Sequence, residues 1–140
     1  MSRVMGVDYG TKRIGIAMTD PMKITASPFD TIESSSVKKD ALEILKLAEA
    51  HDVSVIVFGL PINMNATEGM MADIVRKVIG EIENLCLGSG IEVTAIDERL
   101  TTAQTERMLI EEGNMPRRKR RDVRDKVAAA LILRTYLDTH

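Results

Sequence analysis

Apolar positions along the chain recur with two periods, and the change from one to the other marks the elements. Val4-Met5-Gly6-Val7, then Ile14-Gly15-Ile16-Ala17, are short apolar runs separated by a glycine-containing turn. Together with residues 24–32 they predict three strands, over 4–8, 15–19 and 24–32, joined as an antiparallel meander. The spacing then becomes helical: Ala41, Leu42, Ile44, Leu45, Leu47 and Ala48 predict a helix over 37–50. A β-branched run at 53–58, closed by Gly59 and Pro61, reads as a buried strand. A helix over 69–87 and a fifth strand over 91–97 follow. Thr101-x-x-Gln104 has the form of a capping box opening a helix over 101–112, and Gly113-Asn114 is its stop signal. A last helix is predicted over 122–138.

Three strands followed by alternating helices and strands imply an α/β fold, with a five-stranded mixed sheet and helices packed on it. The 37–50 segment is long enough to cross over to a parallel strand. No repeat, low-complexity stretch or linker divides residues 1–140, so a single domain is expected. The 44% apolar and 29% charged content fits a globular chain with a real core. Cys86 is the only cysteine, which excludes an internal disulfide framework and fits a reducing compartment. With no signal segment and no long apolar run, a cytoplasmic location without a membrane partner is expected. The net charge of −2 hides a local concentration of positive charge. Arg117, Arg118, Lys119, Arg120 and Arg121, with Arg124, place six of the 19 basic residues within eight positions. Such a strip on a mildly acidic body suits the holding of a polyphosphate chain. With 3% aromatic residues, a base-stacking platform is not expected.

Three acids stand where chemistry can be built. Asp8 ends the first strand, before the turn at Gly10. Asp97 and Glu98 end the fifth, and alternation lets only one of the two enter a shared site. The other would bond to backbone or to a neighbour such as Arg99, itself either a phosphate contact or a structural partner. Asp125 shares a helical face with Ala128, Ala129, Ile132 and Tyr136, and an acid on a packed face needs a partner or a cation. Asp8 could equally be a turn acid, and Asp125 an acid favoured near a helix N-terminus. Carboxylates converging from separate segments repel unless a cation joins them, so a divalent metal site with nuclease chemistry is the leading expectation. Hard oxygen ligands favour one or two Mg²⁺ or Mn²⁺ ions. Lys12, Arg13, Arg99 and the strip 117–121 would contact phosphates, with Gly10 allowing close approach. Asp122 reads first as a helix cap and second as an auxiliary ligand. Asn63, Asn65 and Thr67 in the loop after Pro61 could bind sugar or phosphate, or simply be solvated. His51 and His140 have no plausible catalytic partner, and the nine methionines read as core filler.

These motifs in combination resemble the YqgF family, also called RuvX or pre-16S rRNA nuclease family, of the RNase H-like superfamily. The resemblance runs nearly end to end. It is carried by Gly6-x-Asp8-x-Gly10-x-Lys12-Arg13-Ile14-Gly15-x-Ala17, Asp20, Ala26-Ser27-Pro28 and Val57-Phe58-Gly59-Leu60-Pro61. It continues through Asp97-Glu98-Arg99-Leu100-Thr101-Thr102 and Asp125-x-x-Ala128-Ala129-x-x-Ile132-Leu133. Ala66 stands where the family usually has glycine. The resemblance implies an RNase H-like fold with helices on both faces of the sheet. It assigns the catalytic and metal-binding roles to Asp8, Glu98 and Asp125, choosing Glu98 over Asp97. The implied activity is 5′-end maturation of pre-16S rRNA in ribosome biogenesis, with the ribosome as a partner. The alternatives are a Holliday-junction endonuclease, which needs a dimer, and a non-catalytic RNA-binding assembly factor. Monomer and dimer both stay open. An actin-like ATPase is rejected, because such enzymes pair two domains of this fold.

Overall fold

The computed structural model describes residues 2–63, 65–100 and 117–139, with side chains at all of these except 100 and 117–123. Five strands form one sheet: β1 (Arg3–Tyr9), β2 (Arg13–Thr19), β3 (Ala26–Glu33), β4 (Val53–Leu60) and β5 (Glu92–Asp97). Their order across it is β3-β2-β1-β4-β5, with β1–β2 and β2–β3 antiparallel and β1–β4 and β4–β5 parallel. Helix α1 (Val37–Ala50) links β3 to β4, α2 (Met70–Leu85) links β4 to β5, and α3 (Arg117–Thr139) closes the chain. The sheet is the expected mixed one, and β1 lies at its centre.

Alternation along the strands divides the side chains between two unlike layers. Met5, Val7, Ile14, Ile16, Met18, Ile56 and Phe58 turn to the face covered by α1 and α2, against Ile44, Leu45, Val75, Val78 and Ile82. Val4, Ala17 and Val57 turn to the other face, where α3 lays Ala129, Ile132 and Leu133 on them. Helices therefore cover both faces. Helix α1 starts where Ser36 accepts a hydrogen bond from the Lys39 amide at 3.2 Å, a serine N-cap.

Several boundaries move for identifiable reasons. The third strand begins at Ala26, because the Asp20 carboxylate gathers the amides of Met22, Ile24 and Thr25 at 3.1, 2.9 and 2.7 Å into a loop. The fourth strand continues to Leu60, held by pairing with Asp97. The last helix starts at Arg117, ahead of the expected 122, so Asp122 lies inside it and cannot be its cap. Met5 and Met18 are core residues, but Met22 and Met70 are 62% and 80% exposed, so methionine is only in part filler here. The expected helix over 101–112, its Thr101–Gln104 box and its Gly113 stop lie outside the described residues.

Candidate active site

Asp8 sits at the centre of a row of small residues. It pairs with Gly15 of β2, and on its other side Gly59 follows Phe58, the partner of Val7. Laterally opposed residues share a face, so Asp8 projects towards α3 with a glycine on each side. These glycines set the distance between helix and sheet. A Cβ on Gly15 would collide with the Asp125 carbonyl oxygen, and one on Gly6 would lie 2.6 Å from that of Ala129. Both are impossible contacts, so the α3 backbone rests directly on β1 and β2. Ala129, Ile132 and Leu133 anchor it, and the helical repeat carries Asp125 to the end of β1 beside Asp8.

Glu98 arrives from the other side. It opens the 3₁₀ turn Glu98–Leu100 directly after β5, and its Cγ lies 3.7 Å from the Cβ position of Gly59. Asp97 goes elsewhere: the Arg99 guanidinium grips its carboxylate at 2.7 to 3.1 Å, and the Arg99 amide adds a bond of 2.9 Å. Those bonds hold the Asp97 carboxyl below its usual range. Arg99 also reaches the Asn63 carbonyl at 3.4 Å, tying the Glu98 turn to the loop after β4. Of its two expected roles, the structural partner is the one seen.

Crowding leaves an electrostatic mark on Asp8. Burial, then the charge of Glu98 and a hydrogen bond with its side chain, then the charge of Asp125, push the Asp8 carboxyl up to about 8. Asp125 is close enough to act on Asp8, but it is turned to Arg13, whose Nε donates to its Oδ2 at 2.6 Å. Among the described residues no three acidic, histidine or cysteine side chains gather tightly enough to hold an ion. The expected three-carboxylate cluster is therefore not closed: Asp8 and Glu98 form its core, and Arg13 supplies the positive charge beside the third member. The donor chemistry fits a hard divalent cation nonetheless. A carboxyl that keeps its proton to about pH 8 because it is buried beside two other acids would be relieved by such a charge.

Lys12 is exposed at the hairpin tip, whereas Arg13 is engaged with Asp125. Gly10 has a structural reason of its own, since its amide bonds to the Arg13 carbonyl at 3.0 Å and a Cβ would lie 2.7 Å from that oxygen. Arg117, Arg118, Lys119, Arg120 and Arg121 form the first turns of α3; their side chains, and that of Asp122, lie outside the described residues. In the loop after β4, Asn63 donates to the Thr67 hydroxyl at 3.1 Å and that hydroxyl to Asn65 at 2.6 Å. These side chains shape the loop, and Glu68 pins it to α2 through Arg76 at 2.6 and 2.7 Å. Ala66 takes a φ of 66°, a left-handed conformation that glycine adopts without strain.

Two features escaped the sequence reading. Gly6 and Gly15 have no role in the residue pattern and Gly59 only that of closing a strand, though alternation puts Gly6 on the Asp8 face and pairing puts Gly15 there. Asp40, 1% exposed, accepts from the Tyr9 hydroxyl at 2.6 Å, the Ser34 hydroxyl at 2.8 Å and the Ser35 amide at 2.8 Å. This buried knot fixes the residue after Asp8 to the start of α1. An acid four residues before Ile44, on the apolar face of α1, was the available signal.

Among the described residues no helix is long and apolar enough to cross a membrane. The fold is that of RuvC-like, RNase H-like resolvases. Thermus thermophilus RuvC in complex with a Holliday junction substrate superposes with a TM-score of 0.61 at 14% identity, over 99% of this chain and 95% of that one. The yeast mitochondrial Holliday junction resolvase Ydc2 gives 0.57 at 11%, over 99% and 81%. Sequence relatives lie much nearer. A protein of Endomicrobium trichonymphae named "Putative pre-16S rRNA nuclease" is 63% identical over 138 residues, 99% of this chain and 96% of the relative. One of the same name from Carboxydothermus hydrogenoformans is 42% identical over 136 residues, 97% and 96% of the two chains. The model of the RuvX family, described as Holliday junction resolvase, matches residues 2–139, and the chain belongs to that family.

Proposed function

We propose that this chain is a divalent-metal-dependent nuclease that cleaves phosphodiester bonds, with pre-16S rRNA as its substrate and Asp8, Glu98 and Asp125 as its catalytic residues. The observation that carries the reading is the crowding of Asp8 by Glu98 and Asp125 on the glycine-lined face. Such an arrangement destabilises the carboxylate form of Asp8 and has no use in packing. The rRNA substrate follows from the names of relatives that match this chain over nearly its whole length.

Asp8 and Glu98 would hold Mg²⁺ or Mn²⁺, with Asp125 as the third carboxylate. When bound, the ion supplies Lewis-acid activation of water and of the scissile phosphate. Below about pH 8 the Asp8 carboxyl keeps its proton, so ion capture competes with that proton. Lys12 and the basic residues 117–121 contact flanking phosphates. The strip begins α3 and lies roughly 6–12 Å along the helix from Asp125. Cations at a helix N-terminus oppose its dipole, so helix stability does not account for five of them there. Arg99 serves first to fix the Glu98 turn.

Cleavage of a pre-16S RNA and of a four-way DNA junction, each with Mn²⁺ and with Mg²⁺, tests this in wild type and Asp8→Asn. Wild-type RNA cleavage that Asp8→Asn abolishes, with RNA binding retained, is the expected result. Junction cutting alone would establish the second reading, which the description of the family model favours. Tight RNA binding with neither substrate cut would leave an assembly factor in place of an enzyme.

A further inference from the structure

Arg13 stands between the two parts of the site. It begins β2, two residues before Gly15, and alternation places it on the α3 face with Asp8 and Asp125. Its Nε bonds the Asp125 carboxylate at 2.6 Å, and the side chains of the pair remain 31% and 19% exposed. The pair is part-buried, so water and solutes still reach it. The Asp125 backbone, in contrast, has nowhere to go, because its carbonyl fills the space over Gly15. Only the Asp125 side chain can turn, and a rotamer change is a fast, small motion.

Resting on the reading of Asp8, Glu98 and Asp125 as the ion site, we propose that Arg13 is a positioning residue that holds Asp125 aside until a substrate phosphate takes its guanidinium. Nucleic acid then delivers the third carboxylate to the ion. Phosphate competes well for this guanidinium, since both anions suit its paired donors. Exposed Lys12 lies next to Arg13 and leads the phosphate to it. Binding of ion and of nucleic acid is thereby cooperative, and an ion without its substrate meets an incomplete set of ligands. Linkage makes the effect reciprocal.

The test measures Mn²⁺ affinity by electron paramagnetic resonance, with and without a short 2′-O-methyl RNA checked intact on a gel. Wild type, Arg13→Ala, Arg13→Gln, Arg13→Lys, Lys12→Ala and Asp8→Asn are compared, each first checked for cooperative thermal unfolding. Arg13→Gln keeps the length of the side chain should the alanine variant fail to fold. RNA is expected to tighten Mn²⁺ binding to wild type roughly tenfold. The neutral Arg13 variants should bind Mn²⁺ roughly tenfold more tightly than wild type without RNA and gain little from adding it. Arg13→Lys should restore part of the coupling. Lys12→Ala, which removes an equal charge without touching Asp125, should weaken RNA binding and keep the coupling. Neutral Arg13 variants with wild-type Mn²⁺ affinity, or with the full RNA effect, overturn the inference. If Asp8→Asn still loses Mn²⁺, that failure leaves the nuclease reading standing; if Asp8→Asn binds Mn²⁺ normally, the ion site itself is misplaced and both fail.

Discussion

The two faces of one sheet are built from alternate residues of the same strands, yet they follow opposite rules. Towards α1 and α2 the strands present Met5, Val7, Ile14, Ile16, Ile56 and Phe58, all fully buried. Towards α3 they present Gly6, Asp8, Gly15 and Gly59 among the smaller apolar set Val4, Ala17 and Val57, and over Gly6 and Gly15 the helix backbone takes the space that side chains fill on the other side. The first face carries most of the hydrophobic stabilisation. The second gives up part of its side-chain burial, and there Asp8 meets Glu98 while Asp125 lies beside them on Arg13. A single alternation of residues thus separates stability from chemistry across the thickness of a strand.

The largest expected effect falls on the apolar face. Phe58→Ala empties a fully enclosed position and should cost about 3–5 kcal/mol in urea unfolding. A loss below about 1 kcal/mol would deny that face its structural role. Next comes Gly15→Ala on the open face. The added methyl cannot coexist with the Asp125 carbonyl, so α3 must lift, at about 1–3 kcal/mol. Cleavage should fall further than stability, by roughly 100-fold, since a shift of about 1 Å in Asp125 is enough for that. Equal loss in Gly15→Ala and Phe58→Ala at matched stability would erase the distinction between the faces. The smallest effect lies outside both. Ala66→Gly relieves the left-handed φ of 66° and should stabilise the chain by about 0.5–1 kcal/mol. Part of the relief is offset by the freedom glycine adds to the unfolded chain. Unchanged chemical stability would mean that the loop tolerates alanine without strain.

Much of this was legible in the residue pattern. Order and type of the described elements follow from periodicity; strand alternation lets only one of Asp97 and Glu98 enter a shared site, and the choice of Glu98 comes from the family resemblance. A bond to a neighbour such as Arg99 is the expected use of the spare acid, and the Asp97–Arg99 pair is that bond. Local pattern did not reveal the partner of Asp125, because an ion pair between residues 112 positions apart leaves no sequence signature. The start of α3 at Arg117 differs from the expected 122 for another reason. Five basic residues at a helix N-terminus work against the dipole, so local propensity puts the boundary too late. The glycines were visible, but their role depends on which helix lies over them, and only the assembled fold supplies that.

Asp8, buried and crowded by Glu98 and Asp125, is the centre of the proposed site, and the pH dependence of stability tests that environment most directly. In the folded chain Asp8 keeps its proton to about pH 8, while an unfolded chain loses it near the ordinary value of 3.8. Between these values the folded state binds the extra proton, so wild-type stability should fall as pH rises through that window. Urea unfolding of wild type and Asp8→Asn from pH 4 to 9, without divalent ions, isolates this contribution. The difference should move steadily in favour of the asparagine variant up to about pH 8 and then level off. A difference that stays constant across the range would mean that Asp8 titrates like an isolated carboxyl, neither buried nor crowded by Glu98 and Asp125.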